Sequence, residues 1–205
     1  MRIKHLVLGT SNPGKIKEWK KLIGNSFSLI AALDFNVKSP KEKGYSFKEI
    51  AKNKAIYYTK LTKEFVLSED GGFEVDYLDG APGIKSRRIL PGDREGSDEE
   101  LVNFIISKLK GVPTKKRKAR LIVNVVLADP KGNIIFEDKG SIEGFVSDKA
   151  KGIMESGYPY RSILFIPEVK KMYSEFTEKD HEKFDHRRPI AERLIKFLIE
   201  YEQNG

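Results

Sequence analysis

An α/β or α+β fold, with helices packed on a sheet, is the class this sequence predicts, and three observations carry it. Short apolar runs alternate with stretches of helical spacing through the first half of the chain. Two long strand-like segments follow, 119–128 and 133–146, joined by the turn Asp129-Pro130-Lys131-Gly132-Asn133. At 205 residues there is enough chain for one domain, or one core with a smaller lobe, to bury a substantial apolar interior.

Residues 5–10 read as a buried strand, followed by Ser11-Asn12-Pro13-Gly14 and a helix from Lys15 to about Ile23. Ile16, Trp19, Leu22 and Ile23 give that helix its apolar face. A second strand is expected over 27–33, and then a helix from Phe47 to about Leu61. This helix should bury Phe47, Ile50, Ala51, Ala55, Tyr58 and Leu61 on one side. A strand at 65–68 ends in Glu69-Asp70-Gly71-Gly72. Ser97-Asp98-Glu99-Glu100 has the form of a capping box and opens a helix to about Leu109. After the hairpin come a short strand at Ile163–Ile166 and a closing helix from about Pro189 to Tyr201, apolar at Ile190, Leu194, Phe197, Leu198 and Tyr201. The hairpin either extends the sheet or forms a smaller lobe beside a cleft.

Composition narrows the function classes. Charged residues make up 33% of the chain and the net charge is +8, which suits nucleic acid, an anionic membrane or a phosphate-rich small substrate. The 30 acids are spread along the chain, as on a solvated surface of mixed sign. The densest basic run, Lys115-Lys116-Arg117-Lys118 with Arg120, is expected to be a solvent-exposed loop. With no cysteine, disulfides, thiolate metal sites and cysteine nucleophiles are excluded. His5, His181 and His186 are too scattered for a histidine-rich zinc site. The apolar run at the start is too short for a signal peptide, and none approaches the ~20 residues that span a bilayer, so a cytoplasmic protein is expected. Absence of cysteine, a single glutamine and abundant Lys and Glu follow the trend of heat-adapted proteins.

Four corners carry chemistry. Gly9-Thr10-Ser11-Asn12-Pro13-Gly14-Lys15-Ile16 nearly matches a phosphate-binding P-loop, but Ile16 stands where the magnesium-binding Ser/Thr belongs. It reads either as a generic phosphate corner with free N–H groups or as a plain turn. Glu42 precedes the second helix, on which Lys54 lies on or near the apolar face, either snorkelling or directed into a site. Glu69-Asp70 beside two glycines reads as a solvated turn or as carboxylates placed to hold a metal near a polyanion. Tyr158-Pro159-Tyr160-Arg161 offers rings that pack in a core or stack on a base. Asp185-His186-Arg187-Arg188 opens the last helix, with Asp185 a candidate N-cap.

In combination these pieces resemble the inosine-triphosphate pyrophosphatase family, whose motifs they match in order over nearly the whole chain. Thr10-Ser11-Asn12-Pro13-Gly14-Lys15 with Glu18 is similar to the amino-terminal signature. Glu42-Lys43-Gly44 through Lys54 and Ala55 is similar to the second motif. Glu69-Asp70-Gly71-Gly72 with Gly80-Ala81-Pro82-Gly83 is similar to the most specific one, and Phe165-Ile166-Pro167-Glu168 and His186-Arg187 complete the set. The resemblance implies an α/β fold with a mixed twisted sheet, flanking helices and two lobes around a central cleft, forming a single pyrophosphatase domain over 1–205. It implies Mg²⁺-dependent hydrolysis of non-canonical purine nucleoside triphosphates (ITP, dITP, XTP) to a monophosphate and pyrophosphate. Glu42 and Asp70 would hold Mg²⁺, and Asp70 would accept the water proton. Thr10, Asn12 and Lys15 would contact phosphates, Lys15 as part of the catalytic apparatus, with Lys54 nearby. His186 and Arg187 would read the base, and Ser11, Gly71 and Tyr160 complete the expected substrate contacts. A cytoplasmic homodimer with no membrane or nucleic-acid partner is implied.

Departures from the family pattern cluster near the base. Gly71 replaces a serine, Ile50 an asparagine and Lys85 a tyrosine. Tyr158-Pro159-Tyr160-Arg161 replaces Phe-Gly-Tyr-Asp, His181 replaces a lysine and Asp185 a serine. An aspartate-to-arginine change reverses the donor and acceptor pattern offered to a ligand. Altered base preference, extending to modified pyrimidine nucleotides, is therefore one alternative. A non-catalytic nucleotide or single-stranded nucleic-acid binder using Tyr158, Tyr160, Arg161 and the 115–120 run is another.

Overall fold

The computed structural model describes residues 3–41 and 43–204. In chain order its elements are β1 (Leu6–Leu8), α1 (Pro13–Ile23), β2 (Leu29–Ala31), α2 (Phe47–Thr62), β3 (Val66–Val75), β4 (Pro82–Gly83) and α3 (Asp98–Lys108). Then follow β5 (Lys118–Ala128), β6 (Ile134–Val146), β7 (Leu164–Ile166), β8 (Lys171–Met172), α4 (Glu178–Phe184) and α5 (Arg188–Asn204). The strands hydrogen-bond in the order β2-β1-β3-β5-β6-β7-β8, with β4 paired to β3. The pairs β1·β2 and β1·β3 are parallel, whereas β3·β4, β6·β7 and β7·β8 are antiparallel. The fold is thus mixed α/β, as the sequence predicts.

The chain divides into two compact units. The first takes the described residues of 1–70, 123–140 and 186–205; the second takes 71–122 and 141–185. In the first unit, period-two alternation sorts the strand side chains into two layers. Leu6, Leu8, Leu67, Val123, Val125 and Leu127 pack with Trp19 and Ile23 of α1 and with Ile190, Leu194 and Leu198 of α5. Val7, Val66, Val126 and Ala128 point the other way and pack with Ala51, Ala55 and Tyr58 of α2. This is a sheet covered on both faces, the arrangement that parallel strands require. The second unit has its own core, where Phe73, Val75, Ile142 and Val146 meet Leu101 and Ile105 of α3.

Local chemistry sets the element ends. The Ser97 hydroxyl accepts from Glu100 N at 3.2 Å and Glu100 Oε2 accepts from Ser97 N at 2.8 Å, the reciprocal cap expected for α3. At the hairpin, the Asp129 carboxylate accepts from the N–H groups of Lys131 and Asn133, and Gly132 takes a φ of +90°.

Several expectations are corrected. The strand predicted at 65–68 runs to Val75, so Glu69-Asp70-Gly71-Gly72 is extended strand and not a turn. Pairing overrides the turn preference of acids and glycines: Phe73 and Glu74 ladder with Gly83 and Pro82, and Phe73 N donates to the Ser86 hydroxyl at 3.0 Å. Leu61 is exposed, because the buried stripe of α2 stops at Thr59. Asp185 caps the C-terminus of α4, a short helix the sequence reading did not foresee, and α5 starts at Arg188. The 115–120 run is only partly a solvated loop. Lys115 and Lys116 are exposed, but Arg117 is buried, donating to Val112 O and paired with Asp148. Arg120 is ion-paired with Glu74, Asp76 and Glu143. No helix among the described residues is long and apolar enough to cross a membrane.

Candidate active site

The first unit gathers its charged residues where β1 ends beside β3. Gly9 N donates to Leu67 O at 2.8 Å, and the Ser68 hydroxyl donates to Gly9 O at 3.2 Å. Glycine at position 9 suits this close packing, since an added Cβ would lie 3.0 Å from both the Tyr58 and Val66 side chains. The chain then turns into α1 through Asn12, whose Oδ1 accepts from Gly14 N at 2.9 Å and Lys15 N at 3.3 Å. Asn12 N donates to the Thr10 hydroxyl at 3.1 Å. The free N–H cradle that a P-loop reading predicts is therefore closed by the corner's own side chains. What this corner offers a phosphate is the exposed Ser11, the Thr10 hydroxyl, the amide nitrogen of Asn12 and Lys15.

Glu69 is the centre of the cluster, 2% exposed in the middle of β3. Its Oε2 accepts from the Trp19 indole at 2.8 Å and from Arg187 Nε at 3.0 Å. Its Oε1 accepts from Arg187 Nη2 at 3.0 Å and lies 3.2 Å from Lys15 Nζ. Burial alone would raise the Glu69 pKa, but the charges of Arg187 and Lys15 and the bonds from Arg187 and Trp19 outweigh it. The carboxyl is held well below the usual carboxylate range. Arg187 Nε also lies 3.5 Å from Glu18, and its Nη1 is 3.0 Å from His186 Nε2. A guanidinium can only donate, so this contact places the imidazole proton on Nδ1.

Asp70 follows in the strand and is also buried. Lys54, buried on α2, donates to the Glu69 carbonyl at 3.0 Å and lies 3.6 Å from Asp70 Oδ1. Of the two readings of Lys54, the structure selects an ammonium directed to the carboxylate strand.

Backbone packing places the His186-Arg187 corner. A Cβ on Gly140 of β6 would lie 2.2 Å from the His186 carbonyl oxygen, so only glycine lets the corner approach the strand this closely.

Thr10, Asn12, Lys15, Lys54, Asp70, His186 and Arg187 thus belong to one unit and, with Ser11, one local cluster of elements. Gly71 and Tyr160 belong to the second unit. Tyr160 is buried there, stacked on Phe73 with centroids 4.8 Å apart, and its hydroxyl bonds the Ser86 carbonyl. Burial pushes that hydroxyl's pKa up. Arg161, in the same unit, is buried, with its guanidinium 3.7 Å from the Tyr158 ring and 2.8 Å from Glu155. Glu42 lies outside the described residues. From the sequence, Glu69 reads with Asp70 as a carboxylate placed to hold a metal, whereas here both its oxygens are taken by protein donors; Trp19 reads only as an apolar residue, and Gly140 carries no reading. Available signals were a tryptophan one turn after Lys15 and a lone glycine inside a strand pattern.

For a divalent cation the two strand carboxylates are not equivalent. Glu69 has both oxygens occupied by protein donors, and Asp70 Oδ1 lies 3.6 Å from Lys54 Nζ, farther than any of the Glu69 contacts. Among the described residues no group of three His, Asp or Glu side chains converges. A magnesium ion, which takes one or two carboxylates and fills its shell with water and phosphate oxygens, fits such a sparse donor set.

The profile of the Ham1 family matches residues 6–197. A dITP/XTP pyrophosphatase of Dictyoglomus thermophilum is 32% identical over 203 residues, covering 98% of this chain and 97% of that protein. One of Thermus thermophilus is 33% identical over 197 residues, covering 96% and 92%. Among solved structures, a HAM1 protein from Coxiella burnetii matches with a TM-score of 0.83 at 24% identity, covering 97% of this chain and 100% of that one. The Staphylococcus aureus Ham1 protein matches at 0.80 and 26%, with the same coverage. With the family profile spanning most of the sequence and relatives aligned end to end, the chain belongs to the Ham1 family.

Proposed function

We propose that this protein hydrolyses non-canonical purine nucleoside triphosphates, ITP, dITP and XTP, to the monophosphate and pyrophosphate. The observation that carries the reading is the pair of lysines, half-buried Lys15 and buried Lys54, drawn onto the adjacent carboxylates Glu69 and Asp70 of one strand. The relatives' activity on dITP and XTP supports it. In this reading Lys15 and Lys54 meet the negative charge of the triphosphate, with Thr10, Ser11 and Asn12 as further phosphate contacts. Asp70 accepts the proton of the water that attacks the α-phosphorus, and positioning and electrostatics supply most of the rate. Asp70 and Glu42 would hold Mg²⁺, which when bound neutralises charge on the leaving pyrophosphate. His186 and Arg187 remain the proposed base-reading pair, with Gly71 and Tyr160 as further proposed substrate contacts. We further infer one catalytic domain over 1–205, acting as a cytoplasmic homodimer.

The buried, ring-stacked Arg161 favours a second reading of the base preference. A guanidinium clamped by Glu155 and Tyr158 has replaced the acceptor expected there, so modified pyrimidine nucleotides belong in the same assay. Pyrophosphate release is measured with Mg²⁺ from ITP, dITP, XTP, modified pyrimidine triphosphates and the four ordinary triphosphates. Turnover of inosine and xanthosine nucleotides is expected, lost in EDTA and in Asp70→Asn. No turnover of any nucleotide above the Asp70→Asn background would reject the enzyme.

A further inference from the structure

Glu69 sits beside the proposed catalytic aspartate, yet nothing in its surroundings lets it reach a substrate. It is sealed from water, and both carboxylate oxygens are filled by protein donors. We propose that Glu69 is a positioning residue that fixes the two phosphate-binding lysines, a role that rests on the pyrophosphatase reading above.

The sheet gives Glu69 access to both. Successive strand side chains point to opposite faces, and the contacts follow that rule. The Glu69 carboxylate meets Trp19 and Lys15 of α1, while Asp70 meets Lys54 of α2. The Glu69 carbonyl, in turn, accepts from Lys54 Nζ at 3.0 Å. One residue therefore ties α1 through its side chain and α2 through its backbone.

On α1 the tie has two points. Lys15 and Trp19 are four residues apart, one above the other on the same helix face. Lys15 bonds toward Oε1 and Trp19 donates to Oε2, so α1 is held against rotation as well as sliding. The charge matters separately. Lys15 Nζ and Arg187 Nη2 lie 3.2 and 3.0 Å from the same Oε1. Two cations this close repel strongly in a buried site unless an anion lies between them. Glu69 is that anion, and without it Lys15 has no reason to stay at the strand.

The test uses the full chain and ITP with Mg²⁺, comparing wild type, Glu69→Gln, Lys15→Met and the double variant, with far-UV circular dichroism confirming the fold. Misplacement of a phosphate-binding group costs on the order of 10²-fold in rate, so Glu69→Gln is expected to lose kcat on that scale. In the Lys15→Met background the same change should cost less than about threefold, because the side chain positions Lys15, which is already gone, while Lys54 is held by the Glu69 carbonyl that the substitution leaves in place. A folded Glu69→Gln protein with kcat within about twofold of wild type, or equal losses in both backgrounds, overturns the proposal. Should Glu69→Gln fail to fold, Trp19→Phe removes only the indole donor. A several-fold loss confined to the Lys15 background supports the role, and wild-type kinetics refute it. Calorimetric binding of inorganic triphosphate repeats the comparison without turnover. A wild-type chain that binds triphosphate but releases no pyrophosphate removes the pyrophosphatase reading. Equal triphosphate affinity in wild type and Glu69→Gln removes the positioning role.

Discussion

A carboxylate sealed from water is tolerated only when its charge is answered, and Glu69 is answered by Arg187, Lys15 and Trp19. Removing one partner of such a buried cluster costs about 3–5 kcal/mol, because the remaining charges stay buried. Glu69→Gln should therefore lower unfolding free energy by that amount at pH 7, read by denaturant titration. The sign with pH follows from linkage. The folded-state pKa of Glu69 lies below its ordinary 4.5, so its charge contributes stability in full above that value. The contribution fades as pH falls below it, since the unfolded chain then binds the proton first. The gap between wild type and Glu69→Gln should accordingly narrow as pH falls through and below the ordinary carboxylate range, and a gap independent of pH would contradict the assignment. Asp70 was legible in the sequence because its neighbours form a motif. The partners of Glu69 were not, because Trp19 and Arg187 are 50 and 118 residues away and only the fold brings them together.

Elements were legible where local chemistry decides them and illegible where tertiary pairing does. Ser97 and Glu100 announce α3, and Asp129 with Gly132 announces the hairpin; both stand as expected. The continuation of β3 through Asp70-Gly71-Gly72 was hidden, because its support comes from β4 and from Ser86, which lie further along the chain. The start of α1 depends on Asn12, which satisfies two backbone donors. Asn12→Ala should cost about 1 kcal/mol of stability by loss of the cap, measured by thermal unfolding, and should also weaken triphosphate binding if its amide nitrogen contacts phosphate. Gly140 makes the opposite kind of demand. An alanine there meets the His186 carbonyl oxygen at 2.2 Å, so Gly140→Ala should push the His186-Arg187 corner off the strand. Lowered stability together with lowered kcat/KM is expected. An active, undisturbed variant would mean that the corner does not need this approach.

At the scale of the whole chain, the fold class was readable because alternating apolar residues sort cleanly into layers. Leu6 and Leu8 face α1 and α5, while Val7 faces α2. The net charge of +8 suits a polyanionic substrate, but it named none; Lys118, Arg120 and Arg117 are paired with acids inside the second unit and leave little of the basic run for a partner. What distinguishes a pyrophosphatase from other nucleotide hydrolases is which phosphorus the water attacks. Hydrolysis of ITP in ¹⁸O-labelled water, with the full chain and Mg²⁺, reads this directly by mass spectrometry of the products. The expected result is one ¹⁸O in the inosine monophosphate and unlabelled pyrophosphate, with the reaction lost in Asp70→Asn. Formation of inosine diphosphate and labelled orthophosphate, or the same turnover in Asp70→Asn, would contradict the assignment of this site.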